Sequence, residues 1–453
     1  MRICFVNPPV ARVVERDYDA PRYPNETLAT LAAYCRAQGH DCCVIDAKRE
    51  RLDAAAVIRR CRAADPQVVA CTAFTHEIAV AGELAAAVKT ALPTCRTVVG
   101  GYHVTPLPEP TLREFPGFDF GIVGEGELPL AALLTALAAG TPVDTVAGLA
   151  FRRGDNIIVT PPGPTVAALD TLPFPAFDLL PPSDYYIVST ARGCPFACPF
   201  CLNLHGRQVR TRDPHAVAAW LDELVRRYQP RELMFGNENF LLAGSRPETV
   251  LTELAGRGFA TRTRWQAQTH VSTVTPELLA LAQRAGCYKL AIGVETGNDA
   301  LLAALGKGLD RDSVRTAVRL VKQAGLEIEL NFVLGLPGET EQSLRETIDF
   351  LVELNPTLPA IGIMVPYPGT AVAAMAARGE GGYRLLNAPW SAYNKQLGHA
   401  LAFSHLSRRD LERWQLRGYV ATYLRNHRWL DFARFCLRYR TEAAAFLRQH
   451  LFP

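Results

Sequence analysis

ARGCPFACPFCLN, residues 191–203, is the stretch from which the rest of the chain can be interpreted. It places Cys194, Cys198 and Cys201 in the spacing C-x3-C-x2-C, on a loop between a β-rich run and a helical pattern. Three thiolates from one loop can hold three irons of a cubane [4Fe-4S] cluster and leave the fourth iron open. Zinc sites use two pairs of ligands or a cysteine and histidine mixture, so the nearby His205 keeps zinc as an alternative. The position after a strand, where β/α barrels keep their active sites, favours the cluster.

The cysteine loop closes the first unit of a β/α series that extends over residues 184–395. Its predicted strands lie near residues 185–191, 232–236, 263–269, 289–294, 327–334 and 360–366. The intervening segments have helical patterns long enough for the crossovers of a parallel sheet. Six units are fewer than the eight of a complete barrel, so the pattern predicts a partial (β/α)6 TIM-type barrel with an open side.

Strands also alternate with helices over residues 1–145. This alternation predicts a Rossmann-like α/β domain, in which ligands bind beyond the carboxyl ends of the parallel strands. Residues 146–183 are predicted to form a hairpin and a proline-rich linker. Residues 396–453 are predicted to be a C-terminal helical region, in which the β pattern stops and ten arginines stand against four acidic residues. We interpret these arginines as a solvated helical surface, with docking of an acidic substrate or partner as the alternative.

Composition excludes several classes of protein. The 453 residues are 49% hydrophobic and 21% charged, so the chain is neither disordered nor a disulfide-stapled module. A net charge of +3 does not indicate a nucleic-acid partner. The start, MRICFVNPPV, lacks the apolar core of a signal peptide, and no apolar run is long enough for a membrane span. We therefore expect a cytoplasmic protein whose cysteines are thiols or metal ligands.

In their order along the chain, the motifs resemble the radical S-adenosylmethionine (SAM) enzymes, and more narrowly their subclass with an N-terminal cobalamin-binding domain. The resemblance covers roughly residues 1–370. It implies three cofactors: a [4Fe-4S] cluster, SAM and cobalamin. In that family the cysteines bind the cluster and the open iron chelates SAM. Reductive cleavage of SAM then gives a 5′-deoxyadenosyl radical that abstracts hydrogen from a small-molecule substrate, with electrons from a donor such as flavodoxin or ferredoxin.

The resemblance also implies a SAM site at the strand ends of the barrel. Its residues are Phe200, Gly236, Asn237, Glu238, Gln268, His270, Glu295, Asn331, Gly335 and Val365. Many relatives carry an arginine where this chain has His270, so this residue either alters a cofactor contact or is a core or capping histidine. The alternatives for Glu295 and Gly335 are a carboxylate at a helix N-terminus and a turn glycine.

For cobalamin, the resemblance rests on the segments NPP, GHDCCVIDA, ACTAFTHE, VVGGYHVT and GIVGEGE. The residues implied are Pro8, Pro9, Thr72, Phe74, Thr75, Gly100, Gly101, His103, Gly124, Glu125 and Gly126. The D-x-H-x-x-G motif is absent, so we expect no histidine below the cobalt. Glu125 is expected to hydrogen-bond corrin amides. For Thr75, His103 and Glu125, the alternative role is helix capping.

The leading hypothesis that the resemblance implies is a C-methyltransferase, which methylates an unactivated carbon through methylcobalamin. A cobalamin-dependent enzyme that closes or contracts a ring or oxidises a carbon fits the same residues. A radical SAM enzyme that has lost cobalamin, and a non-catalytic cobalamin or iron–sulfur protein, are further alternatives. These hypotheses are not separated by the sequence, because substrate choice lies in loops and in the helical tail.

Overall fold

The structure is a computed structural model that describes residues 1–13, 16–17, 21–242, 246–395 and 398–438. Its first large sheet contains β1 (Arg2–Asn7), β2 (Asp41–Asp46), β3 (Val68–Thr72), β4 (Arg96–Gly100), β5 (Phe120–Ile122), β6 (Leu149–Arg153) and β7 (Asn156–Val159). The spatial order is β2-β1-β3-β4-β5-β6-β7, with β1 to β5 parallel and β6 and β7 antiparallel. Strand order therefore reverses between β1 and β3, the place where open α/β sheets bind ligands.

Helices connect the parallel strands of this sheet, as the sequence predicts. They are α1 (Glu26–Ala37), α2 (Ala47–Glu50), α3 (Ala54–Ala64), α4 (Ile78–Ala91), α5 (Pro108–Glu114) and α6 (Glu127–Ala139). The side chain of Asn25 caps α1 by accepting from Leu28 N at 3.0 Å. That cap fixes the start of α1, and therefore the position of Glu26, at the cavity described below.

The second sheet consists of six parallel strands in sequential order. They are β8 (Tyr185–Val188), β9 (Glu232–Phe235), β10 (Arg264–Thr269), β11 (Cys287–Glu295), β12 (Glu327–Leu334) and β13 (Leu358–Ile363). The helices of this region are α7 (Pro214–Tyr228), α8 (Pro247–Gly256), α9 (Pro276–Arg284), α10 (Asp299–Ala304), α11 (Arg311–Gln323), α12 (Glu341–Leu354) and α13 (Ala371–Arg378). In β12, Ile328 and Leu330 are buried while Glu329 and Asn331 alternate with them and are half-buried, which leaves a polar face on the strand.

The proline-rich segment between the sheets is packed into the fold. The hairpin of β6 and β7 extends the first sheet through pairing with β5. Further along, Phe177 and Leu180 belong to one apolar core that includes residues of both sheets, and the ring of Phe177 lies 4.9 Å from that of Tyr186. The segment therefore joins the two sheets by burying apolar side chains. The predicted boundaries of the four regions stay predictions.

Two expectations for the last part of the chain were wrong. Leu401–Phe403 forms a strand that pairs with Tyr383–Leu385, although we expected no β structure beyond 395. The sixth barrel strand ends at Ile363, before Pro366 and Pro368, which cannot donate ladder hydrogen bonds.

Two helices follow this ribbon, α14 (Arg408–Leu424) and α15 (Trp429–Arg438). The remaining predicted helical tail, residues 439–453, lies outside the described residues. Within the part of the chain that the structure describes, no helix has the length and apolar character needed to span a membrane.

Candidate active site between the two domains

A cavity of about 450 Å³ lies where the carboxyl ends of the two sheets meet. The predicted cofactor residues that line it are Thr72, Phe74, Gly100, Gly101, Gly124, Glu125 and Gly126 from the first domain, and Gly236 and Glu238 from the barrel. The side chain of Tyr102 joins the two halves: burial raises its pKa, and the charges of Glu238 and Cys201 add to the effect. Residues that were predicted to bind two different cofactors thus line the same cavity.

The first-domain side of the cavity is open and largely apolar. Gly101 has φ +106°, and a Cβ there would lie 2.9 Å from Ala73 O and from Thr72 Oγ1, so glycine is required. Phe74 is 52% exposed and stacks on Tyr102 with ring centroids 5.2 Å apart. The inner wall consists of apolar side chains from the sheet and from α1, namely Phe5, Leu28, Leu31, Ala70, Val98 and Ile122. An aromatic platform above an apolar slot fits a flat macrocycle with a heterocyclic tail.

On the barrel side, the loop of residues 193–209 presents the three cysteines. The strands Ala191–Arg192 and Arg210–Thr211 pair at its neck. Gly193, at φ +98°, passes so close to Gln208 O that a Cβ would collide with it. Inside the loop, Cys194 N donates to Gly206 O at 3.1 Å, and Asn203 Nδ2 donates to Cys194 O at 2.9 Å. These two hydrogen bonds tie Cys194 to the return of the loop.

The arrangement of the cysteines suits a cluster more than a single ion. Cys194 and Cys198 are half-buried and Cys201 is exposed; burial raises the pKa of Cys198 to about 11. Iron binding therefore has to displace the thiol protons. Among the described residues, no three Cys, His, Asp or Glu side chains converge as donors for one ion. A cubane does not need such convergence, because each thiolate binds a different iron. A zinc site would also require His205, which instead faces Glu125 at 2.8 Å.

At the end of β11, Glu295 is held by a residue that the sequence reasoning missed. Glu295 is buried, with φ 73°, and pairs with Lys307 at 2.6 Å. Lys307 also donates to Gly293 O at 2.9 Å, and a side chain at Gly293 would collide with the carboxylate. A non-glycine residue in the left-handed region next to a glycine needed for space is typical of functional sites. The charges of this pair also reach Cys198, which places the pair beside the cysteine loop.

Glu26, at the first turn of α1, is a second residue that was missed. It lines the cavity, and its carboxylate accepts from Ser189 N at 2.5 Å and from Ser189 Oγ at 2.7 Å. Burial raises its pKa to about 7, which the two Ser189 hydrogen bonds only partly oppose. The first domain therefore contributes a titratable carboxyl to the mouth of the barrel. The only sequence signal was an acidic residue in the first turn of a helix.

The comparisons with known proteins agree with this geometry. The family description "B12 binding domain" matches residues 20–134, and "Radical SAM superfamily" matches residues 188–351. The chain combines a B12-binding domain with a radical SAM domain. The prediction from the cysteine motif and the first-domain segments is thereby confirmed, and so is the predicted fold class of a B12-binding α/β domain followed by a radical SAM domain.

Relatives of this B12-binding radical SAM protein have different names. It is 29% identical to an uncharacterized methyltransferase of Pyrococcus horikoshii, over 94% of this chain and 93% of that protein. It is also 29% identical to the anaerobic magnesium-protoporphyrin IX monomethyl ester cyclase of Cereibacter sphaeroides, over 82% of this chain and 63% of that protein. Methyltransferases and cyclases thus both occur among its relatives.

A solved structure shares the fold. The radical SAM methyltransferase TsrM of Kitasatospora setae superposes with a TM-score of 0.72 at 19% identity, over 87% of this chain and 80% of that chain. TsrM has been determined with cobalamin and a [4Fe-4S] cluster bound, and also with tryptophan and a SAM analogue.

In this radical SAM protein, three residues that were predicted to contact SAM form hydrogen bonds with other residues of the chain. Asn237 makes two hydrogen bonds with Thr190, each of 2.8 Å. Its Oδ1 accepts from Thr190 N, and its Nδ2 donates to Thr190 Oγ1. Gly335 donates its N–H to Glu339 and accepts from Tyr383 Oη at 2.7 Å. The carbonyl of Val365 accepts from Tyr367 N at 2.9 Å. These three residues hold the loops behind the site in place.

Phe200, Gln268 and Asn331, which were also predicted to contact SAM, do not line the cavity. Phe200 packs against the apolar cluster around α13, and Pro199 O accepts from Val372 N at 3.0 Å. Gln268 is exposed, and Asn331 is half-buried on the polar face of β12.

Of the two roles that were open for His270, the structure shows the capping role. His270 caps the turn Val271–Thr273 by accepting from Ser272 N, and it stacks on Phe196 of the cysteine loop with centroids 4.0 Å apart. Burial, helped by the charge of Lys307, lowers its pKa to about 4. A neutral histidine therefore supports the cysteine loop from below.

Some predicted cobalamin contacts lie behind the cavity. His103 is buried under the ring of Trp390, with centroids 4.6 Å apart, and burial lowers its pKa to about 4. Thr75 is buried at the start of a short helical turn. Pro8 and Pro9 follow β1, and neither lines the cavity described above. The cavity wall is instead made by their neighbours at the strand ends.

Proposed function

We propose that Cys194, Cys198 and Cys201 hold a [4Fe-4S] cluster, that SAM binds at the open iron, and that cobalamin lies on the first-domain wall of the cavity. The reaction we propose is methylation of an unactivated carbon of a small-molecule substrate. The observation that supports it most is the shared cavity, because it puts the cobalamin candidates within reach of the cysteine loop and of Glu238. Together the bound cofactors supply a 5′-deoxyadenosyl radical and a transferable methyl group.

In this proposal the residues of the chain bind and orient the cofactors. The thiolates fix three irons and leave one coordination site for SAM. Glu238, exposed on the cavity wall, would accept from the amino group of SAM, and the Glu295–Lys307 pair beside the cysteine loop would face the ribose. Gly101 allows backbone to approach the macrocycle closely, and Phe74 covers an apolar face. Closure of the cavity by both domains excludes water from the radical.

The test begins with cofactor content. We would reconstitute the full chain anaerobically with iron, sulfide and hydroxocobalamin, desalt it, and measure iron, cobalt and the absorption spectrum. We expect about four irons and one cobalt per chain. Four irons without cobalt would remove cobalamin from the proposal, and the absence of iron would overturn it.

A second measurement separates methylation from other radical chemistry. The reduced enzyme is incubated with candidate substrates and with SAM that carries a deuterated methyl group. The masses of the products are then measured by mass spectrometry. Methylation predicts a product that gains the labelled methyl and equal amounts of 5′-deoxyadenosine and S-adenosylhomocysteine. The cyclase relative favours the second candidate, a ring closure or oxidation, which predicts 5′-deoxyadenosine and a product without label.

A further inference from the structure

Two acidic residues of the first domain contact the neck of the cysteine loop. Glu125 accepts from Arg210 Nη2 at 2.5 Å and from Arg210 Nη1 at 3.0 Å, one bond to each carboxylate oxygen, and lies 2.8 Å from His205 Nδ1. Glu127 pairs with Arg192 at 2.5 Å. Burial opposes the charge of Glu125, yet the contacts with His205 and Arg210 hold its pKa well below the ordinary value. Its side chain is only 1% exposed.

These arginines define the loop that holds the cysteines. Arg192 and Arg210 lie opposite each other in the antiparallel ribbon, and Cys194 follows Arg192 by two residues. Arg210 also donates to His205 O at 3.0 Å, so one guanidinium ties the return of the loop to Glu125. Without that carboxylate, the buried guanidinium of Arg210 would lose its ion pair, at a high electrostatic cost.

The segment that supplies this carboxylate also forms part of the cavity wall. Residues 124–127 line it from the first domain, and Arg192 and His205 line it from the barrel. A ligand in the cavity therefore touches both sides of the contact that holds the cysteine loop.

We propose that Glu125 is a positioning residue for the cysteine loop and that, through it, occupation of the cavity by cobalamin secures the cluster. This inference rests on the proposed function, since it requires that both cofactors bind. It also changes the role predicted for Glu125, from a contact with corrin amides to a contact with Arg210. The first domain then has a second task besides cofactor binding, which is to complete the support of the cluster loop.

A general loss of stability is the competing explanation, and a matched variant separates the two. Asp222 on α7 is a buried carboxylate paired with Arg262 at 2.6 Å, and it lies outside the cavity lining. Glu125→Gln and Asp222→Asn each remove one buried carboxylate charge and keep the side-chain size. Glu125→Asp keeps the charge and shortens the reach, so it is expected to restore part of the effect.

The experiment measures iron release from the reconstituted full chain. Each protein is mixed anaerobically with an iron chelator, with and without hydroxocobalamin, and release is followed by absorbance; melting temperature is recorded alongside. We expect Glu125→Gln to release iron at least about tenfold faster than Asp222→Asn, because residues that orient metal ligands commonly change affinity by that amount or more. Hydroxocobalamin should slow release from the wild type and not from Glu125→Gln. The electron paramagnetic resonance spectrum of the reduced cluster should also lose its response to SAM in Glu125→Gln.

The outcomes distinguish the two proposals. A wild type that takes up no iron overturns the proposed function. A wild type with a full cluster, and a Glu125→Gln that releases iron no faster than Asp222→Asn, overturns the inference alone. Equal release from the wild type with and without hydroxocobalamin overturns the coupling to the cobalamin site.

Discussion

The two walls of the cavity differ in the kind of ligand that they can bind. The part of the first-domain wall around Gly101 and Phe74 is made of glycines and aromatic or apolar side chains. The barrel wall presents the exposed carboxylate of Glu238. Outside the cavity lining, the Glu295–Lys307 pair lies beside the cysteine loop. A large macrocycle is held through contact area and close backbone approach, whereas a small zwitterion needs placed charges. Substitutions at Gly101 and at Lys307 should therefore act first on different cofactors, and the predictions below test that difference.

Removal of one cysteine should have the largest effect. Cys198→Ala is expected to lower iron content from about four per chain to below about one and 5′-deoxyadenosine formation by about a thousandfold or more. Cobalt content should stay unchanged, because Cys198 is outside the first-domain wall. Cys436→Ala, which removes an exposed cysteine on α15, is the control and should match the wild type. Cobalt lost together with iron would show that the walls depend on each other.

The next effect comes from the buried ion pair. Lys307→Met leaves Glu295 buried without its cation, so we expect SAM cleavage to fall about 10- to 100-fold, with cobalamin binding intact. The control is Lys89→Met, which breaks a pair with Asp119 at 3.0 Å in the first domain. An unchanged rate of SAM cleavage in Lys307→Met would remove this pair from the site.

On the other wall, Gly101→Ala should act on cobalamin alone. The added Cβ would press on Ala73 O and Thr72 Oγ1, so we expect about tenfold weaker retention of hydroxocobalamin at full iron content. Gly39→Ala is the matched control, since Gly39 has a similar φ of +84° with nothing within 4 Å of its added Cβ. Equal cobalamin retention by both variants would contradict the role of this wall.

Glu26 gives the smallest effect, and it depends on pH. Folding raises its pKa from 4.5 to about 7, so the folded state binds this proton more tightly and loses stability as pH rises between these values. Glu26→Gln removes that loss and should be more stable than the wild type by about 1–3 kcal/mol at pH 8. At pH 4.5 and below the difference should vanish. Urea unfolding at both pH values measures it, and a gain of equal size at both would contradict this account.

Much of the architecture was predictable because strand and helix periods are local properties. All six barrel strands are present in the predicted order, although the sixth ends three residues earlier than expected, and the cysteine loop follows the first of them. The short strand Leu401–Phe403 was missed because its partner, Tyr383–Leu385, precedes it by a long loop and gives no local signal.

The site was less predictable, because polar groups near a strand end compete for partners. Asn237 and Glu125 lie where the motifs implied, yet Thr190 and Arg210 engage them. Lys307 and Glu26 were missed for a different reason. Lys307 lies 12 residues after Glu295, and Glu26 lies 163 residues before Ser189, so both contacts are set by folding and not by a local motif.

The core shared across the proline-rich segment has a thermodynamic consequence. Phe177 and Leu180 lie in one continuous apolar cluster with residues of both sheets, and Arg36 of α1 pairs with Asp178 between them. Independent domains usually meet through small, polar interfaces and unfold separately. Here, separation of the two halves would expose part of the core itself, so the chain should unfold in a single cooperative heat-absorption peak, with the cofactor-binding halves losing structure together.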